Sequence, residues 1–137
     1  MSNHAKSVFD VVVIGAGPAG AASARLLVSS GYSGLVLTSS TSGSPALAES
    51  LPPSCRKVFE AVGVQNAIDS AGFLMTDGNQ FCWDSGMPKV ALFGGERTGY
   101  QVNRKAFDEV LLTEAVKAGV GVQTGVTVRS VSLSNSG

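Results

Sequence analysis

Between Val8 and Ile14 the chain is apolar at every position except Asp10, and β-branched residues dominate. That block predicts a parallel strand in the middle of a sheet, covered on both faces. The period then changes. Pro18 stands where the first turn of a helix tolerates a missing N–H, Gly20, Ala24 and Leu27 fall on one helical face, and Gly31 supplies the stop. Gly34 to Leu37 predicts a second strand. The segment Thr38 to Ser50, "TSSTSGSPALAES", has no period and is dense in Ser, Thr, Gly and Pro, so a loop is expected at the end of that strand.

Further along, Pro52 and Pro53 are expected to open a helix whose Cys55, Phe59 and Val62 form an apolar stripe ended by Gly63. A short helix follows over Val64 to Ala71. "NQFCWD" and "KVALF" predict two short strands around a glycine-containing turn, with no pairing legible. From Asn103 the helical period returns: Phe107, Val110, Leu111, Ala115 and Ala118 make one stripe, with Asn103 as cap and Gly119 as stop. Val120 to Val122 and Val126 to Leu133 are expected as strands. No internal repeat is present.

Composition narrows the function. Lys plus Arg and Asp plus Glu number ten each, so no net field draws the chain to nucleic acid or an anionic membrane. Between Val11 and Leu51 only Arg25 and Glu49 are charged, which marks that stretch as buried or facing a ligand. Cys55 and Cys82 form no C-x-x-C and have no histidine cluster beside them, since His4 is the sole histidine. Zinc and redox-dithiol chemistry are therefore unsupported, and two reduced, packing thiols in a cytoplasmic protein are expected. Asp10, Gly15, Gly17 and Pro18 break the early apolar run that a secretory signal would need. No run reaches the length of a membrane span.

The chemistry lies in "GAGPAG", Gly15 to Gly20. G-x-G-x-x-G alone is a weak signal, but here a buried strand ends at Ile14, a helix starts at once and a second strand follows within a βαβ length. Gly15 permits the turn, Gly17 presents no side chain to an approaching pyrophosphate, and Gly20 lets helix and strand pack closely. The helix start, with Pro18 and Ala19, offers free N–H groups and partial positive charge, so no lysine is needed. The expected class is α/β, a Rossmann-like FAD/NAD(P)-binding fold with a central parallel sheet and a small β-strand insertion. Residues 8–51 would form the βαβ unit, 52–100 a helical and short-strand segment, and 101–137 a helix plus strands.

An acidic residue normally ends the second strand and grips the ribose. Thr38 stands there instead, with Ser39 after it. A hydroxyl bond contributes about 0.5–1.5 kcal/mol against about 1.5–3 for a charged one, so Thr38→Glu would be expected to tighten binding. No Lys or Arg occurs between Arg25 and Arg56, which disfavours NADP. NAD and FAD both remain open at this turn.

Three segments, "DVVVIGAGPAGAASARLL", "GSPALAESLPPS" and "GYQVNRKAFDEVLLTEAVKAGV", resemble the N-terminal part of FAD-dependent monooxygenases, geranylgeranyl-reductase-like enzymes and flavin-dependent halogenases. The resemblance implies FAD as cofactor, a reduced nicotinamide as the longer enzyme's reductant and a small organic substrate. It implies that Arg104 reaches the FAD pyrophosphate or ribityl chain, that Glu49 and Ser50 line the flavin side of the loop, and that the Val128 backbone borders the adenine. Family members continue into a Gly-Asp-containing segment that has no counterpart here, so the chain reads as an N-terminal portion of a longer enzyme. No general base, nucleophile or metal constellation stands out, Lys89 lacks the flanks of a halogenase-type lysine, and no catalytic residue is assigned. Phe107 is expected as a core contact, Asp108 on a solvated face and Trp83 in a core or at a sheet edge. An NAD-binding dehydrogenase domain and a non-catalytic nucleotide-binding module stand as alternatives.

Overall fold

The computed structural model describes residues 8–39, 47–83, 86–95 and 97–133. Its elements run β1 (Val11–Ile14), α1 (Pro18–Ser29), β2 (Gly34–Thr38), β3 (Ala48–Leu51), α2 (Cys55–Val62), α3 (Gln65–Ser70), β4 (Leu74–Thr76), β5 (Gly78–Phe81), β6 (Lys89–Leu92), β7 (Gly99–Asn103), α4 (Arg104–Lys117) and β8 (Gly121–Thr124). They divide into two units, residues 1–43 with 111–137, and residues 44–110. Helix α4 crosses from the second unit into the first.

In the first unit β1, β2 and β8 form a parallel sheet in that order, with Val11 opposite Gly34 and Thr38 opposite Thr124. Ala24, Val36, Ala115 and Val120 make its buried core, and Val13, Ala16, Val28 and Val122 pack against them. Each buried valine contributes about 1.5–3 kcal/mol relative to exposure. The small residues of α1 allow this: Ala21 and Ala24 are its buried positions. Gly31 has a positive φ just past the helix, as a stop requires.

Two expectations about β1 are corrected. The strand starts at Val11, because the Asp10 carboxylate accepts both the N–H and the hydroxyl of Ser33, at 2.7 and 2.6 Å. It is also an edge strand of the described sheet, β2 taking the middle. Its second face is open, with Val12 48% and Ile14 59% exposed. A third correction concerns residues 126–133, which are irregular. Their alternation is strand-like, but a strand exists through its ladder, and Val126 makes a single bond, from its N–H to the Thr38 carbonyl at 3.0 Å.

The second unit is antiparallel. β7 lies between β3 and β4, and β5 pairs with β6 as a hairpin. Neither β4 nor β7 is legible as a strand in the pattern, each offering only a short run. The core here is aromatic: Phe59 and Phe107 ring centres lie 5.9 Å apart in a tilted pair, and Phe73 meets Phe107 edge-on at 6.2 Å, an arrangement that rings prefer to a face-to-face sandwich. Helix α2 begins at Cys55 rather than at the prolines, whose carbonyls instead accept the Cys55 and Arg56 N–H groups. The residue before a proline is biased to extended backbone, and β3 accordingly runs to Leu51. Gly63 ends α2 in the left-handed region at φ 76°. Asn103 caps α4 as expected, its Oδ1 accepting the Ala106 N–H at 3.1 Å.

Cys82, and the core alternative for Trp83, depart from expectation. Trp83 is 80% exposed, outside any core. Cys82 is exposed rather than packed, while Cys55 is half-buried, and both are reduced thiols. Among the described residues, no helix is long and apolar enough to cross a membrane.

Candidate functional site

The turn after β1 is built by its neighbours in sequence. The Gly15 N–H donates to the Leu37 carbonyl at 2.8 Å, which ties the turn to β2. Gly15 then takes φ +104°, a region that L side chains avoid. A Cβ at Gly20 would lie 2.0 Å from the Gly15 carbonyl oxygen, so the helix comes as close to the turn as a bare backbone permits. Gly17 differs from both. Its φ of −70° and ψ of 179° are open to any residue, so conformation does not demand a glycine there. It is the N-cap of α1, no side chain caps the helix, and no acidic residue occupies the first turn. Pro18 has no N–H to satisfy, the Ala21 N–H already bonds to Gly17 O at 2.9 Å, and the N–H groups of Ala19 and Gly20 precede any intrahelical partner. A bare Cα beside free donors at a helix mouth suits an anion that must come close.

At the end of β2 the residue expected at the ribose is largely buried. Thr38 is 9% exposed, and the strand alternates so that Gly34, Val36 and Thr38 share the buried face. The exposed hydroxyl is that of Ser39. Val128 lies in the irregular segment after β8 and is half-buried. Residues 40–46 of the expected loop lie outside the described residues. Its last residues are corrected: Glu49 and Ser50 stand on β3, opposite Val102 and Gln101 of β7. The Ser50 hydroxyl donates to Gln101 Oε1 at 2.7 Å.

Within the second unit Arg104, the first residue of α4, gathers two carboxylates. Its Nε donates to Asp108 Oδ1 at 2.8 Å and its Nη1 to Glu49 Oε2 at 2.9 Å. The Asp108 hydrogen bond raises the Arg104 pKa most, and the Glu49 bond adds to it against the opposing effect of burial. Asp108 is thus not on a solvated face. Arginine four residues before aspartate on a helix was the available signal, since such positions are neighbours in space.

A second polar group in this unit had no signal. The buried Tyr100 donates its hydroxyl to Asp69 Oδ1 at 2.5 Å, Gln65 Nε2 bonds to both of them, and Arg56 pairs with Asp69 at 3.1 Å. The Tyr100 bond, followed by that of Gln65, lowers the Asp69 pKa. Burial first, and Asp69 second, raise that of Tyr100. These residues join α2, α3 and β7 and serve the fold of the unit.

Over residues 8–137 the sequence matches the family described as FAD binding domain. The chain belongs to this family. Flavin-dependent halogenase armH1 of Armillaria mellea is 29% identical over 136 residues, which are 96% of this chain and 26% of that protein. The digeranylgeranylglycerophospholipid reductase of Methanosphaerula palustris is 30% identical over 123 residues, 86% of this chain and 29% of its own length. Among solved structures, the myxobacterial chondrochloren halogenase CndH, an FAD-dependent halogenase, matches with a TM-score of 0.78 at 29% identity, covering 87% of this chain and 29% of its own. The chain spans about a quarter of the length of the halogenase armH1. The glycine turn fits the FAD that names the family, because a dinucleotide's diphosphate needs donors and close approach rather than a side-chain cation.

Proposed function

We propose that this chain is the FAD-binding portion of a flavin-dependent oxidoreductase of the halogenase, monooxygenase or reductase kind, with the Gly15–Gly20 turn holding the cofactor's diphosphate. One observation carries the reading: α1 starts at a glycine that conformation does not require, with no side-chain cap and no acidic residue beside it. The Ala19 and Gly20 N–H groups would bind the diphosphate oxygens, and the helix end adds about 0.3–1 kcal/mol at an exposed site. Ser39 would hydrogen-bond the ribose in place of the buried Thr38, and the Val128 backbone would border the adenine. Arg104 and Ser50 are proposed contacts of the cofactor, and Glu49 would line the flavin side next to Arg104.

FAD, when bound, supplies the electron transfer; the chain's residues bind and orient it. In the longer protein a reduced nicotinamide would reduce the flavin and a small organic molecule would be the substrate. Support for the flavin chemistry comes from relatives named as a flavin-dependent halogenase and as a reductase. A cytoplasmic location agrees with the reduced thiols of Cys55 and Cys82.

The test is to purify the chain, examine it for flavin absorbance, and add FAD, NAD and ADP separately while following thermal stability, which rises for a ligand of the native state. FAD should stabilise more than NAD or ADP. Equal gains from all three would reduce the reading to an ADP-binding module, and a gain from NAD alone would replace it with a dehydrogenase domain.

A further inference from the structure

The two carboxylates on Arg104 are not equivalent. Asp108 lies one turn along the same helix, grips the Nε edge and has 17% of its side chain exposed, whereas Glu49 comes from β3, takes Nη1 and is 45% exposed. The Asp108 contact lies within one helix, where residues four apart are neighbours. The Glu49 contact depends on β3 staying in register with β7, and an exposed ion pair of this kind is weak and screened by salt. One edge of the guanidinium is therefore held firmly and the other is exchangeable.

We propose that Asp108 is a positioning residue for cofactor binding: it holds Arg104 by Nε so that the Nη edge, shared only with exposed Glu49 among the described carboxylates, is presented to an anionic oxygen of FAD. The inference rests on the reading of Arg104 as an FAD contact. The guanidinium is a planar fork, so fixing one edge sets the direction of the other, and less side-chain freedom is lost when the oxyanion arrives. Glu49 competes for that same edge until the cofactor displaces it.

The experiment is an FAD titration of the 137-residue chain, followed by flavin fluorescence, with Asp108→Asn, Asp108→Glu, Glu49→Gln, Arg104→Ala and the double variant Arg104→Ala/Asp108→Asn. Circular dichroism melts establish that each variant is folded. Asp108→Asn should weaken FAD roughly tenfold, and Asp108→Glu, which keeps a carboxylate one turn along, should recover most of that loss. Glu49→Gln should tighten FAD by about threefold, since a competing charge is removed. In the Arg104→Ala background Asp108→Asn should change affinity by less than about twofold, because a residue acting through Arg104 has nothing left to orient. Wild-type affinity in Asp108→Asn, an undiminished loss in the Arg104→Ala background, or equal weakening by Glu49→Gln overturns the inference. Binding that ignores Arg104→Ala overturns the FAD contact of Arg104, and no FAD binding by the wild-type chain overturns the cofactor reading together with this inference.

Discussion

The glycine turn and the Arg104 cluster are two ways of making a polar site. The turn uses backbone groups from consecutive residues, and its three glycines have three separate tasks: a positive φ at Gly15, a close approach at Gly20 and a bare Cα at Gly17. The cluster uses side chains, and its Glu49 and Arg104 are 55 residues apart in sequence. A backbone site follows from local pattern, whereas a side-chain site exists only once strands have paired. The two sites should consequently fail in different ways when altered.

The largest effect is expected where local geometry leaves no space. Gly20→Ala places a methyl against the Gly15 carbonyl, 2.0 Å away, and should destabilise the chain by about 3 kcal/mol. The urea midpoint reads this, and an unchanged midpoint would mean that the helix does not meet the turn as described. Gly17→Val separates binding from folding at the same turn. Its backbone is ordinary, so the melting temperature without ligand should fall only by the small cost of a poorer N-cap residue, while the stabilisation by FAD, about 2.7 kcal/mol at a hundred times its dissociation constant, should vanish. Retention of that gain would place the ligand elsewhere.

Thr38→Glu sharpens the comparison by reversing an expectation. The pattern alone suggests tighter binding, but the side chain shares the buried face of β2 with Val36. The substitution should cost about 2 kcal/mol of stability by burying a polar group, with no tightening of FAD in a direct titration. Tighter binding without loss of stability would mean that residue 38 faces the ligand after all.

The smallest effect tests the side-chain network of the second unit. In the folded chain the Asp69 carboxyl is held below its ordinary value, by the Tyr100 hydroxyl first and Gln65 next. A depressed carboxyl pKa contributes stability that is present above the unfolded value of about 3.9 and is lost as pH falls through the folded value. Tyr100 is held high, so its contribution is present below about pH 10 and is lost as pH rises. Asp69→Asn should weaken both arms of a stability–pH profile measured by thermal melts. A profile identical to wild type at both ends would show that the network adds nothing to stability.

These differences map onto what could be read beforehand. The helix boundaries at Pro18, Gly31, Gly63, Asn103 and Gly119 were legible because a cap or a stop is chosen by its own few neighbours. Glu49 and Ser50 were expected in a loop, because β3 has no periodicity and is a strand only through β7. The two prolines after Leu51 were the one local hint of extended backbone. Asp108 was expected in solvent, although its spacing from Arg104 was visible, since spacing names a neighbour without showing that it is engaged. Nothing in sequence joined Tyr100 to Asp69, 31 positions away.

The order of residues by itself determined the strand, turn and helix of the first unit, and with them the Ala19 and Gly20 donors at the helix start, because backbone conformation and helix-end chemistry are set over a few residues. Only the tertiary structure decided that β1 is an edge of the described sheet with an open face, that Thr38 lies on the buried face of β2, and that Arg104 stands between an exposed and a shielded carboxylate. Those outcomes depend on which strands find partners and in what register, and that is a property of the assembled sheets rather than of any one segment.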